Sequence, residues 1–334
     1  MAIQTSALQR LPGVGRYYRL LLPWMPAAVG RLRVPDDVDL VLSFSHAVAK
    51  GIKVPPGIPH VCYCFTPMRY AWDRRDDYLR AGLLRFWPVR AAAEQVLARL
   101  RRWDRESSAG VTHFVAISRA VAQRIEQCYG RSSRVIYPPV DTEFYTPDAT
   151  AREDYYVCVS ALVPYKRVDL AIAACNRLGR RLLVIGAGPE RRRLARLAGP
   201  GVRLAGWLPD AEIRQHLRRA RALLFAAHED FGIVPLEAQA CGAPVIAYGQ
   251  GGVVETVIPA TAAQPGTGLL FAEQTVSSLS AVMEEFEQNP HWFDAQLARR
   301  QAEQFGVGRF ERELFAYLDE VAAGAQGSDR AAAG

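Results

Sequence analysis

Two carboxylates eight residues apart carry the densest concentration of chemistry in the sequence. The run His228-Glu-Asp-Phe-Gly-Ile-Val-Pro-Leu-Glu-Ala238 follows an apolar stretch, holds a glycine at 232 and puts Pro235 where a helix would begin. Free N–H groups and the positive end of a helix dipole make such a junction a natural phosphate site. Glu229 would stand before the helix and Glu237 within its first turns. The pair can therefore reach two parts of one extended ligand, such as two sets of sugar hydroxyls. A hydrolase dyad needs two carboxylates flanking one bond, and nothing here supplies the second flank. Taken singly, each glutamate reads as an acid complementing the helix dipole.

A second cluster, Ser160-Ala-Leu-Val-Pro-Tyr-Lys166-Arg167-Val-Asp169-Leu, passes from strand-like into helix-like sequence, at the carboxyl edge where α/β ligands bind. Lysine occurs only at 50, 53 and 166, so nearly all of the 41 basic residues are arginine. Lys166 offers phosphate a compact point charge, and Arg167 forks onto the same group or faces solvent. Weaker signals follow other strand-like runs. The glycines of Gly186-Ala-Gly188-Pro189 and of Gly249-Gln-Gly-Gly252 let backbone approach a phosphate, or simply make turns. In the first half, Phe65-Thr-Pro-Met-Arg69-Tyr70-Ala-Trp72-Asp73 ends in polar aromatics that resemble a binding surface more than a core. His46, after a strand-like run, is either a site residue or a structural histidine.

The elements that must position these residues alternate regularly in the second half. Strand-like runs at 155–162, 181–185, 202–206, 221–226, 244–248 and 268–271 are separated by helical patterns at 168–178, 189–198, 210–219, 235–241 and 275–288. Such spacing predicts parallel βαβ units and a Rossmann-like domain. The first half predicts strands at 38–44, 60–65, 112–117 and 134–137, with helices at 89–106 and 119–128, the latter capped by Ser118. It opens without the strand–glycine loop–helix unit that normally starts a doubly wound sheet. The expected division is an incomplete N-terminal domain over 1–147 and a nucleotide-binding domain over 148–321. Its last helix, about 305–321, crosses back to the first domain, and an Ala/Gly-rich tail over 322–334 is expected to be disordered.

Composition narrows the class. The chain has 334 residues, half of them apolar, which favours two domains of comparable size and excludes disordered or disulfide-scaffold readings. Six cysteines sit inside apolar patterns rather than in paired metal spacing, which fits a reduced, cytoplasmic compartment. The net charge of +7 suits anionic lipid or phosphorylated substrates, while no base-stacking or helix-turn-helix pattern supports nucleic acid. Leu20 to Gly30 is too short, and too broken by Pro23 and Pro26, to span a membrane. The basic–aromatic stretch Arg16 to Met25 either docks at an anionic membrane or packs as a core helix.

The run Glu229-Asp-Phe-Gly-Ile-Val-Pro-Leu-Glu237 resembles the paired-glutamate motif of family 4 retaining glycosyltransferases of the GT-B fold, as does Val163-Pro-Tyr-Lys-Arg-Val-Asp-Leu170. The runs Phe65–Asp73 and Ser45-His-Ala-Val-Ala-Lys50 resemble a bacterial mannosyltransferase-like branch working on O-antigen (lipopolysaccharide) or exopolysaccharide intermediates. The resemblance covers about residues 5–320. It implies an α/β chain of two Rossmann-like domains facing a cleft, the first lacking its opening strands. It also implies roles. Lys166, with Arg167, would neutralise the donor diphosphate; Glu229 would hold donor-sugar hydroxyls beside the N–H groups of Phe231, Gly232 and Ile233. Glu237 would bind the ribose, and Gly186, Gly188 and Gly252 would approach the donor. Arg69, Tyr70, Trp72 and His46 would face the acceptor.

The resemblance further implies a nucleotide-sugar co-substrate, GDP-mannose ahead of UDP-sugars, with no metal or other cofactor. Partners would be a lipid-linked or polysaccharide acceptor and, peripherally, the inner face of the cell membrane. Three departures stand out: the absent opening segment, Phe65 where the family commonly has histidine, and Ala161 where many members have arginine. They leave a catalytically impaired nucleotide-sugar- or glycan-binding protein, or a GT-B epimerase or phosphorylase, as alternatives.

Overall fold

A computed structural model describes residues 3–72 and 87–332. The chain forms two compact units, Met1–Tyr137 with Arg312–Gly334, and Pro138–Glu311.

The first unit is built on four parallel strands in the order β1-β2-β3-β4: Val41–Ser45, His60–Cys64, His113–Ala116 and Arg134–Val135. Every residue of β2 is buried, as expected where helices or loops cover both faces of a parallel sheet. Two helices follow the expected periodicity, α1 (Trp87–Ser107) and α2 (Arg119–Tyr129). The Ser118 side chain accepts from Val121 N–H, capping α2, and Gly130 closes it at φ +66°.

A buried ion pair ties this unit together. Lys50 Nζ lies 2.8 Å from Asp104 Oδ1 and donates to Asp104 O and Ser107 Oγ, each at 2.7 Å. The other carboxylate oxygen of Asp104 accepts from Trp72 Nε1 and Tyr129 OH, each at 2.8 Å. Two buried charges are stable only when paired and hydrogen-bonded in this way. Here the same atoms hold the turn after β1, the loop after β2 and the ends of α1 and α2.

The second unit is a six-stranded parallel sheet, ordered β10-β9-β8-β5-β6-β7. Its strands are β5 (Tyr156–Val159), β6 (Leu182–Ile185), β7 (Val202–Gly206), β8 (Leu223–Phe225), β9 (Val245–Tyr248) and β10 (Gly268–Phe271). The helices are α3 (Val168–Leu178), α4 (Arg191–Leu197), α5 (Asp210–Arg219), α6 (Ile233–Ala240), α7 (Val276–Gln288) and α8 (Ala295–Glu303); a last helix, α9 (Val307–Ala332), starts in this unit and from Arg312 onward belongs to the first. From β5 the chain builds outward to β7, then returns to β8 on the other side of β5 and builds outward to β10. The order therefore reverses between β5 and β8. In an open parallel sheet, that switch point opens a crevice at the carboxyl ends of the strands.

Two expectations need correction. The helix expected from residue 235 begins at Ile233, because Gly232, at φ +93°, turns the chain three residues before Pro235. The tail from 322, expected to be disordered, continues α9 to Ala332. Its alanines are the strongest helix formers, and two glycines do not interrupt them.

Candidate active site

The switch point brings together the two principal sequence clusters. Lys166 ends a short 3-10 turn (Pro164–Lys166) after β5, and Glu229 lies in the loop between β8 and α6. Their side chains meet: Lys166 Nζ donates to Glu229 Oε1, at exposures of 18% and 21%. A cation and a carboxylate, partly shielded from water and facing each other at the carboxyl edge, have the chemistry to take a ligand carrying both phosphate and hydroxyls. The phosphate would take the ammonium, and hydroxyls would donate to the carboxylate.

The backbone beside Lys166 is unusual. Arg167 has φ +51°, the one non-glycine residue in the left-handed region among those described. Its guanidinium turns to Asp169, 3.3 Å from Nε to Oδ1. A left-handed turn at a non-glycine residue costs about 1–2 kcal/mol and is sustained only where its surroundings hold it.

The glycines hold the loops together. A Cβ on Gly186 would sit 1.9 Å from Ser160 O, and one on Gly188 would sit 2.4 Å from Leu162 O. On the other side of the crevice, a Cβ on Gly251 would sit 2.1 Å from Glu229 O, and one on Gly252 2.4 Å from Phe231 Cα. Gly252 N–H donates to Glu229 O at 2.9 Å, fixing the backbone that carries the carboxylate. The glycines expected to approach a donor thus serve first to let neighbouring loops lie against one another. Gly232 precedes α6 with no side-chain cap, leaving the first N–H groups of that helix, from Ile233 onward, without intrahelical partners. Phe231 is buried, with its ring 5.8 Å from that of Phe305.

Glu237, in the middle of α6, acquires an unusual charge state. Burial, helped by the negative charge of Asp210, pushes its carboxyl from an ordinary 4.5 to about 7, against a hydrogen bond with the Tyr145 hydroxyl. The Tyr145 hydroxyl is itself held well above its ordinary range, chiefly by burial and then by the Glu237 charge. Tyr145 was not anticipated from the sequence, where it reads as part of a linker. Arginines fasten that linker to the second unit: Arg299 Nη1 donates to Tyr145 O at 2.7 Å, Arg214 Nη1 to Phe144 O at 2.9 Å and Arg218 Nε to Thr146 O at 2.6 Å. A cleft of about 440 Å³ in the same unit, lined by Asp154, Arg221, Pro244, Thr267 and Glu287 among others, lies at the opposite, amino-terminal end of the strands. There Arg221 pairs with both Asp154 and Glu287.

The residues singled out in the first unit divide. His46 is exposed just after β1. Arg69 and Tyr70 are half-buried in the loop after β2, and Tyr70 and Trp72 pack against the cluster of Met68, Ala71 and Leu100. Trp72 donates to the buried Asp104 and lies under the Arg101 guanidinium, 4.2 Å from its ring centroid. It belongs to the packing of the unit, not to an open binding surface: the indole N–H needed an internal acceptor, and Asp104 supplies it. Asp73 lies outside the described residues. Phe65 packs its ring 5.6 Å from Tyr63 and 6.3 Å from Phe44.

Comparison with known proteins decides the family. The family described as glycosyl transferases group 1 matches residues 142–305, and glycosyltransferase family 4 matches residues 4–144. The chain belongs to the family 4 glycosyltransferases. It is 34% identical over 205 residues to the GDP-mannose-dependent alpha-(1-6)-phosphatidylinositol monomannoside mannosyltransferase of Mycolicibacterium smegmatis, covering 52% of this chain and 51% of that protein. It is 30% identical over 194 residues to a D-inositol 3-phosphate glycosyltransferase of Frankia alni, covering 47% of this chain and 45% of that protein. The chain thus spans about half the length of the curated relatives it matches. Among solved structures, sucrose-phosphate synthase from Thermosynechococcus elongatus superposes with a TM-score of 0.74 at 17% identity, over 97% of this chain and 83% of the synthase. Anabaena Alr3699/HepE in complex with UDP superposes with a TM-score of 0.65 at 16% identity, over 93% and 84% of the two chains. Two parallel-sheet α/β units with these neighbours make the fold GT-B.

Proposed function

We propose that this chain transfers a hexose from a nucleotide sugar, with GDP-mannose the favoured donor, to a lipid-linked or polysaccharide acceptor with retention of configuration. The observation that carries the reading is the meeting of Lys166 and Glu229 at the switch point of the second unit. In the donor complex, Lys166 takes the diphosphate and stabilises the charge that develops as the sugar–phosphate bond breaks. Arg167 stands beside it, and the N–H groups at the start of α6 add positive potential. Glu229, released from the lysine, accepts from the sugar hydroxyls. Glu237 accepts from the ribose, most strongly when ionised. With these charges supplied by side chains and backbone, catalysis rests on leaving-group electrostatics and positioning, without a metal.

The donor preference is supported by the relatives named as GDP-mannose-dependent. The lipid-linked acceptor is supported by those relatives' printed substrate, a phosphatidylinositol mannoside. Contact with a membrane surface is supported by Leu20 and Trp24, which are 73% and 58% exposed near arginine-rich sequence. The side chains of Arg16 and Arg19 lie outside the described ones. No helix among the described residues is long and apolar enough to cross a membrane. The reading is tested by incubating the chain with GDP-mannose and membrane lipid extract, then following GDP release and mannosylated lipid by mass spectrometry. Lipid-dependent GDP release with a product one hexose heavier is expected. Tight GDP binding without any product would replace the reading with that of a nucleotide-sugar-binding protein.

A further inference from the structure

We propose that Trp207 stacks on the base of the bound nucleotide and biases the site toward purine over pyrimidine diphosphates. The proposal rests on the donor-site reading and deepens it. Trp207 is the residue immediately after β7, and 74% of it is exposed. A tryptophan is ordinarily among the most buried residues on average, so one left open at a ligand-binding edge calls for an occupant.

The sheet supplies the direction. Lys166 and Glu229 follow β5 and β8; β6 and then β7 lie beyond β5 along the same carboxyl edge. Neighbouring strands are about 4.8 Å apart, so the end of β7 lies about 10 Å along the edge from that of β5. That reach suits a nucleoside diphosphate laid from the ammonium outward. The loops between are joined, since Gly186 N–H donates to Gly206 O at 2.7 Å. The ribose carboxylate lies toward the same side: Asp210, three residues after Trp207 at the start of α5, is close enough to raise Glu237. Leu208 is half-buried and Pro209 fixes φ at −68°, so the backbone presenting the indole is held from the following side. Phosphate at β5 and β8, ribose at Glu237 and base at β7 then form one continuous path. An indole covers the two fused rings of a purine more fully than the single ring of a pyrimidine.

The test is a binding titration of GDP, UDP and inorganic pyrophosphate against the wild-type chain, Trp207→Ala and Trp207→Phe, with melting temperatures measured without ligand. Loss of one base–aromatic stack is expected to weaken GDP binding about five- to a hundredfold in Trp207→Ala. UDP should weaken less, pyrophosphate should not change, and Trp207→Phe should restore most of the GDP affinity. Quenching of tryptophan fluorescence by GDP should also be smaller in Trp207→Phe than in wild type. Unchanged GDP affinity in Trp207→Ala would overturn the stack while leaving the donor site standing. Equal weakening of GDP and pyrophosphate, or a large fall in the ligand-free melting temperature, would show a structural role and overturn it as well. Failure of the wild type to bind any nucleotide would overturn this proposal and the donor site together.

Discussion

Replacing Glu237 with glutamine should make the protein more stable at alkaline pH while damaging its site. The carboxyl is pushed from 4.5 to about 7, first by burial and then by Asp210. That gap corresponds to about 3 kcal/mol of preference for the protonated form in the fold. A carboxyl whose pKa is raised by folding contributes stability that is complete below its unfolded value and is lost as pH rises through its folded value. Wild type therefore carries the full cost above pH 7 and little of it near pH 5. Glutamine cannot ionise, keeps the shape and still accepts from the Tyr145 hydroxyl. Glu237→Gln should gain about 2–3 kcal/mol more at pH 8 than at pH 5. For a cooperative unit of this size, that is about 4–12 °C in melting temperature. The assay is a pair of thermal melts, variant and wild type, at the two pH values and constant ionic strength. An equal difference at both pH values, or a variant less stable than wild type at pH 8, would refute the reasoning. Nucleotide affinity should move oppositely, rising with pH through 7 in wild type and staying low and flat in the variant.

Substitutions at three further places, with their controls, test the local accounts. Arg167→Gly removes the left-handed strain at φ +51° and forfeits a partly exposed ion pair with Asp169; the net expectation is a gain of about 1 kcal/mol in stability by denaturant unfolding, with reduced donor turnover. Gly186→Ala places a Cβ 1.9 Å from Ser160 O and should cost several °C in a thermal melt, whereas Gly110→Ala, with open space around it, should be near neutral. Lys50→Met leaves Asp104 buried without its cation and should cost about 3–5 kcal/mol, part of it recovered in the double variant Lys50→Met/Asp104→Asn, which removes the charge and keeps an acceptor for Trp72 and Tyr129.

The second unit was largely legible in the sequence because buried parallel strands are written as continuous apolar runs. Leu182–Ile185 and Val245–Tyr248 admit no other reading once helices of 7–11 residues separate the strands of this sheet. Lys166 and Glu229 were legible as separate clusters, since each follows such a strand. Their contact depends on β8 returning beside β5, which no local pattern encodes. Tyr145 and Trp207 escaped notice for the same reason: a lone aromatic in a linker or after a strand looks like core until the chain path is known. The Lys50–Asp104 pair joins residues 54 positions apart, and Trp72 was read as surface because its partner lay beyond any local window. The helix start at Ile233 turned on the positive φ of Gly232, a conformation that a glycine permits without announcing.

The most direct test of the central claim is calorimetric titration of GDP into the wild-type chain and into Lys166→Ala, with mannose alone as a control. A charge-assisted contact to phosphate is worth about 1.5–3 kcal/mol, so the account predicts GDP binding by wild type and at least about tenfold weaker binding by the folded variant. Equal GDP affinity in the two proteins would contradict it.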